Sequence, residues 1–258
     1  MTFQMWSHFH FFFILSPFLF ALLFYFLFKR FDEKKLRLIG IWFSLIGIAL
    51  LVGRNIEIYF KVGEINPEII PLQICHFANF VLLFAFLLKS NTLFAIAFCF
   101  NLPAAFVSII FANGLTSYTT LISWQGAAYI FGHMLIVGVV IWAFLNKMVH
   151  LNIKIVHKAV GIILILFLLS IVVNNLFEKW MSPHASNYFY TMTPEQGTPL
   201  EFFYSLGHQI TIFGLEVNPL YIVTLLVVGY VVVLFFYGLY SLLTLSKRNK
   251  INAREKAT

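Results

Sequence analysis

The sequence predicts an all-α polytopic membrane protein, one domain over residues 1–258 with seven transmembrane helices. Three observations predict it. The chain is 61% hydrophobic and only 10% charged, with mean hydropathy +0.90, a balance that no soluble domain has. Apolar runs of about 20 residues recur, the length that crosses a hydrocarbon layer roughly 30 Å thick. The basic residues gather in alternate gaps between those runs, as the positive-inside rule requires.

Taken in order, the runs are Phe9–Phe28, Leu36–Phe60, Ile69–Leu88, Thr92–Phe111, Gly126–Asn146, Ala159–Phe177 and Pro219–Leu245. The first lacks a basic leader and a small-residue cleavage site, and its positive charges follow it, so it reads as a retained helix. All but three of the 17 basic residues lie on one side: Lys29 to Arg37, Lys89, Lys147 to Lys158 and the tail from Lys247. The N-terminus is therefore expected outside and the basic 246–258 tail in the cytoplasm of a multi-pass cell-membrane protein. The long loop over 178–218 is expected outside. Its second half, Leu200–Leu215, is apolar but too short to span, which suits an interfacial or re-entrant segment. The net charge of +7 sits in these short loops and gives no reason to expect nucleic acid. Both cysteines, Cys75 and Cys99, lie in apolar runs, so no disulfide framework is expected.

Polar residues inside the spans carry the functional expectation. At 1.5 Å per residue, Cys75, His133 and Arg54 each fall about 9–10 Å below the same outer face, with Glu57 and Asn174 at about 5 Å. Intramembrane ionisable groups are costly and face a bundle interior or a wet cavity. Several at one level predict a shared cavity open to the outer leaflet. A thiol needs a base to become a nucleophile, and an imidazole can take its proton. The alternatives are a small buried Cys75 and a His133 that bridges helices. Asn79 shares the Cys75 face and Tyr129 the His133 face, where it can orient the ring, while Gly132 would admit a close neighbour. Arg54 and Glu57, three apart, form either a self-neutralising pair or a headgroup clamp. Asn174 is either an oxyanion donor or a bridge between helices. His76 points about 100° away from Cys75 and is expected at another interface, Cys99 in the core, and His208 in the external segment, where it could fold over the site.

These residues also carry a resemblance. Pro71-Leu72-Gln73-Ile74-Cys75 resembles the P-L-x-x-C motif of YwaF-like bacterial integral membrane proteins. His133 falls where that family has its membrane histidine, and Asn174, Asn187-Tyr188-Phe189-Tyr190 and Pro194 are similar to its N…NYxYL…P block. After the cysteine, His76 stands where the family has an acidic residue. The family includes the eukaryotic transmembrane protein 164, an acyltransferase acting on phospholipids. The resemblance implies that Cys75 is a nucleophile and His133 its partner, with Asn187 and Tyr188 near the site.

The expectation is a membrane acyltransferase or transacylase that moves a fatty acyl chain from a phospholipid, through a cysteine thioester, to a lysophospholipid or a lipoprotein N-terminal amine. It needs neither cofactor nor metal. A lipid or small-solute carrier is the alternative, with Arg54 and Glu57 as coupling charges, although no repeat is visible. Metal-assisted hydrolysis through Glu57, Cys75, His76, His133 and His208 ranks below both, because HExxH and paired CxxC spacings are absent.

Overall fold

The computed structural model describes residues 5–63, 66–112, 122–181, 186–195 and 198–255. The protein is all-α. Among the described residues six helices are long and apolar enough to cross a membrane: α1 His8–Phe28, α2 Glu33–Val62, the broken helix Asn91–Ile110, α6 Trp124–Leu145, α7 Ile153–Trp180, and the Pro219–Leu245 part of α9 Pro219–Glu255. The broken helix consists of α4 Asn91–Ile96, a π-helical turn Ala97–Asn101 and α5 Leu102–Ile110. Capping side chains start several of them: Asp32 accepts from Lys35, Ser123 from Gly126 and Asn152 from Ile155, each satisfying a donor the first turn would orphan.

The expected third span differs. The helix there, α3, covers only Ile74–Leu88, about 22 Å at 1.5 Å per residue. A 3-10 turn, Pro67–Ile69, and a tight turn precede it. Pro71 and Pro67 withhold amide donors, so helix does not propagate through this stretch although its composition is apolar. Its free carbonyls are met from a distance: Asn55 donates to Ile69 O at 2.7 Å, Asn101 to Ile74 O at 3.5 Å, and the Tyr188 hydroxyl to Pro67 O. Irregular backbone at membrane depth survives only where protein satisfies it in this way.

Glycines set the register of the bundle. A Cβ on Gly40 would lie 2.5 Å from the Phe86 ring, and one on Gly47 2.3 Å from Asn79 Oδ1. Contacts Gly40–Phe86, Gly47–Asn79 and Asn55–Ile69 run in opposite senses along the chain, so α2 and α3 are antiparallel. Trp124 against Gly53 and Phe43 against Trp142 make α2 and α6 antiparallel as well. The core between these helices is apolar and includes Cys99, Val137 and Trp142.

Beyond α7 the chain forms a 3-10 turn, Tyr188–Tyr190, a short helix α8 Leu200–Leu206, and a hairpin of β1 Ile210–Ile212 and β2 Leu215–Val217. The Leu200–Leu215 stretch is thus a short helix of about two turns and most of a hairpin, broken at Gly207 and turned at Gly214 with φ 79°. Asn175 pins the hairpin, accepting from Glu216 N–H at 2.6 Å and donating to its carbonyl at 3.2 Å.

Candidate functional site

Where α2, α3 and α6 converge, they enclose a narrow cavity of about 50 Å³. Cys75, His76 and Asn79 of α3, Arg54 of α2, and Tyr129 and His133 of α6 line it. Arg54 lies eight residues from the end of α2 and His133 nine from the start of α6, about 12–13 Å in each case. Groups from three helices therefore meet at one level.

Cys75 is the second residue of α3. Its cap residue Gln73 makes no side-chain capping bond, and the first bonded amide of the helix is Phe77 N–H to Gln73 O. The amides of Cys75 and His76 therefore have no acceptor within the helix and lie open at its N-terminal end, where its dipole is positive. Around α3, Asn79 and His76 lie about 40° and 100° from Cys75, so one cavity spans the whole arc. That is why His76, expected at another interface, lines the same space. Its Nδ1 is buried without a hydrogen-bond partner.

His133 is held by its own helix. Nδ1 lies 2.6 Å from the Tyr129 carbonyl. A carbonyl only accepts, so Nδ1 carries the proton and Nε2 is the basic nitrogen. The Tyr129 ring packs on the imidazole at 4.5 Å between centroids, and its hydroxyl donates to Ser108 O at 2.8 Å. No hydrogen bond joins Cys75 to His133 among the described residues. They share a cavity without touching through that bond, an arrangement common in ligand-free sites. Gly132 has nothing within 4 Å of where a Cβ would sit. It lines the cavity and does not seat a neighbouring backbone.

Tyr190, which the sequence reading placed only in a motif, lies near this group without lining the cavity. It comes from the loop beyond α7, with φ 56°, next to Phe189 with φ 55°. Two consecutive non-glycine residues in the left-handed region cost on the order of 1–2 kcal/mol each. Burial, and then the charges of Glu195 and Cys75, push its phenol above the usual tyrosine range. It is therefore a neutral hydroxyl within electrostatic reach of the sulfur.

Four expected site residues lie elsewhere. Glu57 does not line the cavity: its carboxylate pairs with Lys61 at 2.6 Å and accepts from Gln125 N–H at 2.8 Å, capping the positive end of α6. Asn174 is fully buried and fully bonded. It donates to Tyr188 O at 3.0 Å and Thr191 Oγ1 at 2.8 Å, and accepts from Ser186 Oγ and Tyr188 N–H, both at 2.9 Å. It is a bridge with no donor left for an oxyanion. Asn187 closes its own loop through Thr193 and Met192. Tyr188 is buried in a second apolar cluster with Phe167 and Ile171 and anchors the turn before α3. His208 is exposed, and Cys99 is core. No three His, Cys, Asp or Glu side chains converge as metal ligands among the described residues.

A family model described as the TMEM164 family matches residues 3–240, nearly the whole chain. No curated protein and no solved structure matches.

Proposed function

The chain belongs to the TMEM164 family, and from that premise we propose that this membrane protein transfers fatty acyl chains through a thioester on Cys75. The observation that carries the reading is that Cys75 and a histidine with a fixed basic Nε2, His133, line one intramembrane cavity. His133 Nε2 takes the thiol proton as the sulfur attacks the carbonyl of a phospholipid ester. The tetrahedral oxyanion collapses, the ester C–O bond breaks, and the proton passes from His133 to the leaving lysolipid oxygen. An acceptor hydroxyl or amine, on a lysophospholipid or a lipoprotein, then loses its proton to His133 as it attacks the thioester carbonyl; the C–S bond breaks, the acceptor keeps the acyl group, and His133 returns the proton to the Cys75 sulfur. The open amides of Cys75 and His76 are the oxyanion donors, and Arg54 adds positive charge beside them.

About 50 Å³ holds an ester group and no tail, so the chain lies along the lipid-facing seams and only the carbonyl enters. The basic-residue pattern puts this cavity toward the extracytoplasmic leaflet. The test is intact mass spectrometry of protein incubated with phospholipid. An acyl adduct on Cys75 that hydroxylamine removes supports the reading, and its absence under turnover sinks it.

Gly132→Leu projects into open space, so the protein should fold normally. The side chain fills the cavity, and trapping of the acyl adduct should drop below detection.

A further inference from the structure

A second and larger cavity, about 550 Å³, opens at the opposite end of the bundle. Phe86, one of its lining residues, is eleven positions along α3 from Cys75, about 16 Å away. The size is that of a small-ligand site. Lys29, Arg37, Lys89 and Lys147 line it, joined by His150 and a single carboxylate, Glu33. None of the four permanent cations makes an ion pair or side-chain hydrogen bond among the described residues. Tyr25, Phe31 and Phe94 supply apolar wall beside them.

The positive-inside rule accounts for basic residues in these loops, and lysine near a helix C-terminus complements the dipole. Neither accounts for the backbone. Lys89, which ends α3, has φ 52°, and Lys147, just past α6, has φ 59°. Glycine is the residue that takes this left-handed conformation freely at a helix end. Both positions carry lysine against that preference, and both side chains face the same cavity. Strain that persists at two converging points marks a functional constraint.

We propose that this cavity binds a phosphate-bearing anion, its phosphate held by Lys89, Lys147, Arg37 and Lys29 and its apolar portion against Phe31 and Phe86. Lysine and arginine at a membrane-facing hollow match the chemistry of an anionic lipid headgroup, and a soluble phosphate ester presents the same chemistry. The site is separate from the Cys75 cavity and does not depend on acyl transfer.

Full-length protein would be tested in two arms. The first is retention of phosphatidic acid in phosphatidylcholine nanodiscs by native mass spectrometry. The second is titration with inorganic pyrophosphate in detergent. Binding in the first arm alone identifies a lipid headgroup, and binding in the second a soluble phosphate; either supports the site. The variant K89G/K147G relieves both strained positions. It should melt at or above the wild-type temperature and bind whichever probe is active about tenfold or more weakly. Failure of both probes to bind overturns the proposal. So does unweakened binding by K89G/K147G, or equal weakening by K34Q/K35Q, two lysines in the first turn of α2 that do not line the cavity.

Discussion

Cys75→Ala should reduce acyl transfer to background, a loss of about 10⁴-fold or more, in a protein that purifies and melts like the wild type. The two halves of that outcome have different causes. Cys75 is half-buried and its thiol makes no hydrogen bond among the described residues, so its removal deletes one sulfur from the edge of a cavity. The packing cost is on the order of 1 kcal/mol. The chemical cost is total, because no other thiol lines the cavity and Cys99 is sealed in the core. His133→Ala should produce a similar loss. The double variant should be no worse than either single, because a nucleophile and its base act as a unit. Radiolabelled acyl transfer measured beside thermal unfolding separates the cases. Unchanged transfer by Cys75→Ala would make the thiol a small packing group, and equal loss of stability would make it structural.

The level of the cavity was legible in the sequence for a physical reason. Polar groups in hydrocarbon must cluster to satisfy one another, so Cys75, His133 and Arg54 announce their shared depth through span boundaries alone. What depends on remote partners was not legible. The helix containing Cys75 begins at Ile74 and not at Ile69, because donors from Asn55, Asn101 and Tyr188 replace the helical bonds of that stretch. Hydropathy carries no trace of them. Glu57 read as a partner of Arg54 three residues away, yet Lys61 at i+4 and the start of α6 claim it. Lys61 was visible; the helix end, 67 residues on, was not. His76 was misplaced by an angle that holds for a long helix and fails at a first turn, where the helix end itself faces the cavity.

Asn174→Ala should destabilise the protein by about 4 kcal/mol, the largest stability loss expected from any single site residue. Its four hydrogen bonds are all buried. Alanine strands the N–H of Tyr188, leaves its carbonyl only the longer bonds from Thr191, and loosens the Ser186 and Thr191 hydroxyls. Each unsatisfied buried group costs about 1–3 kcal/mol, part of it recovered by relaxation or water entry. The loss should be local at first. Asn174 holds the turn in which Phe189 and Tyr190 adopt strained left-handed backbone, and that turn relaxes once its anchor is gone. Limited proteolysis should cut within 186–195 before the bundle unfolds. Transfer activity should fall as this turn beside the cavity loosens and recover on cooling, as the turn reorders. An oxyanion donor would behave in the opposite way: a rate lower by 10²- to 10³-fold at every temperature, with melting and proteolysis unchanged. Melting curves, cleavage sites and temperature-dependent rates on this one variant decide which role Asn174 plays.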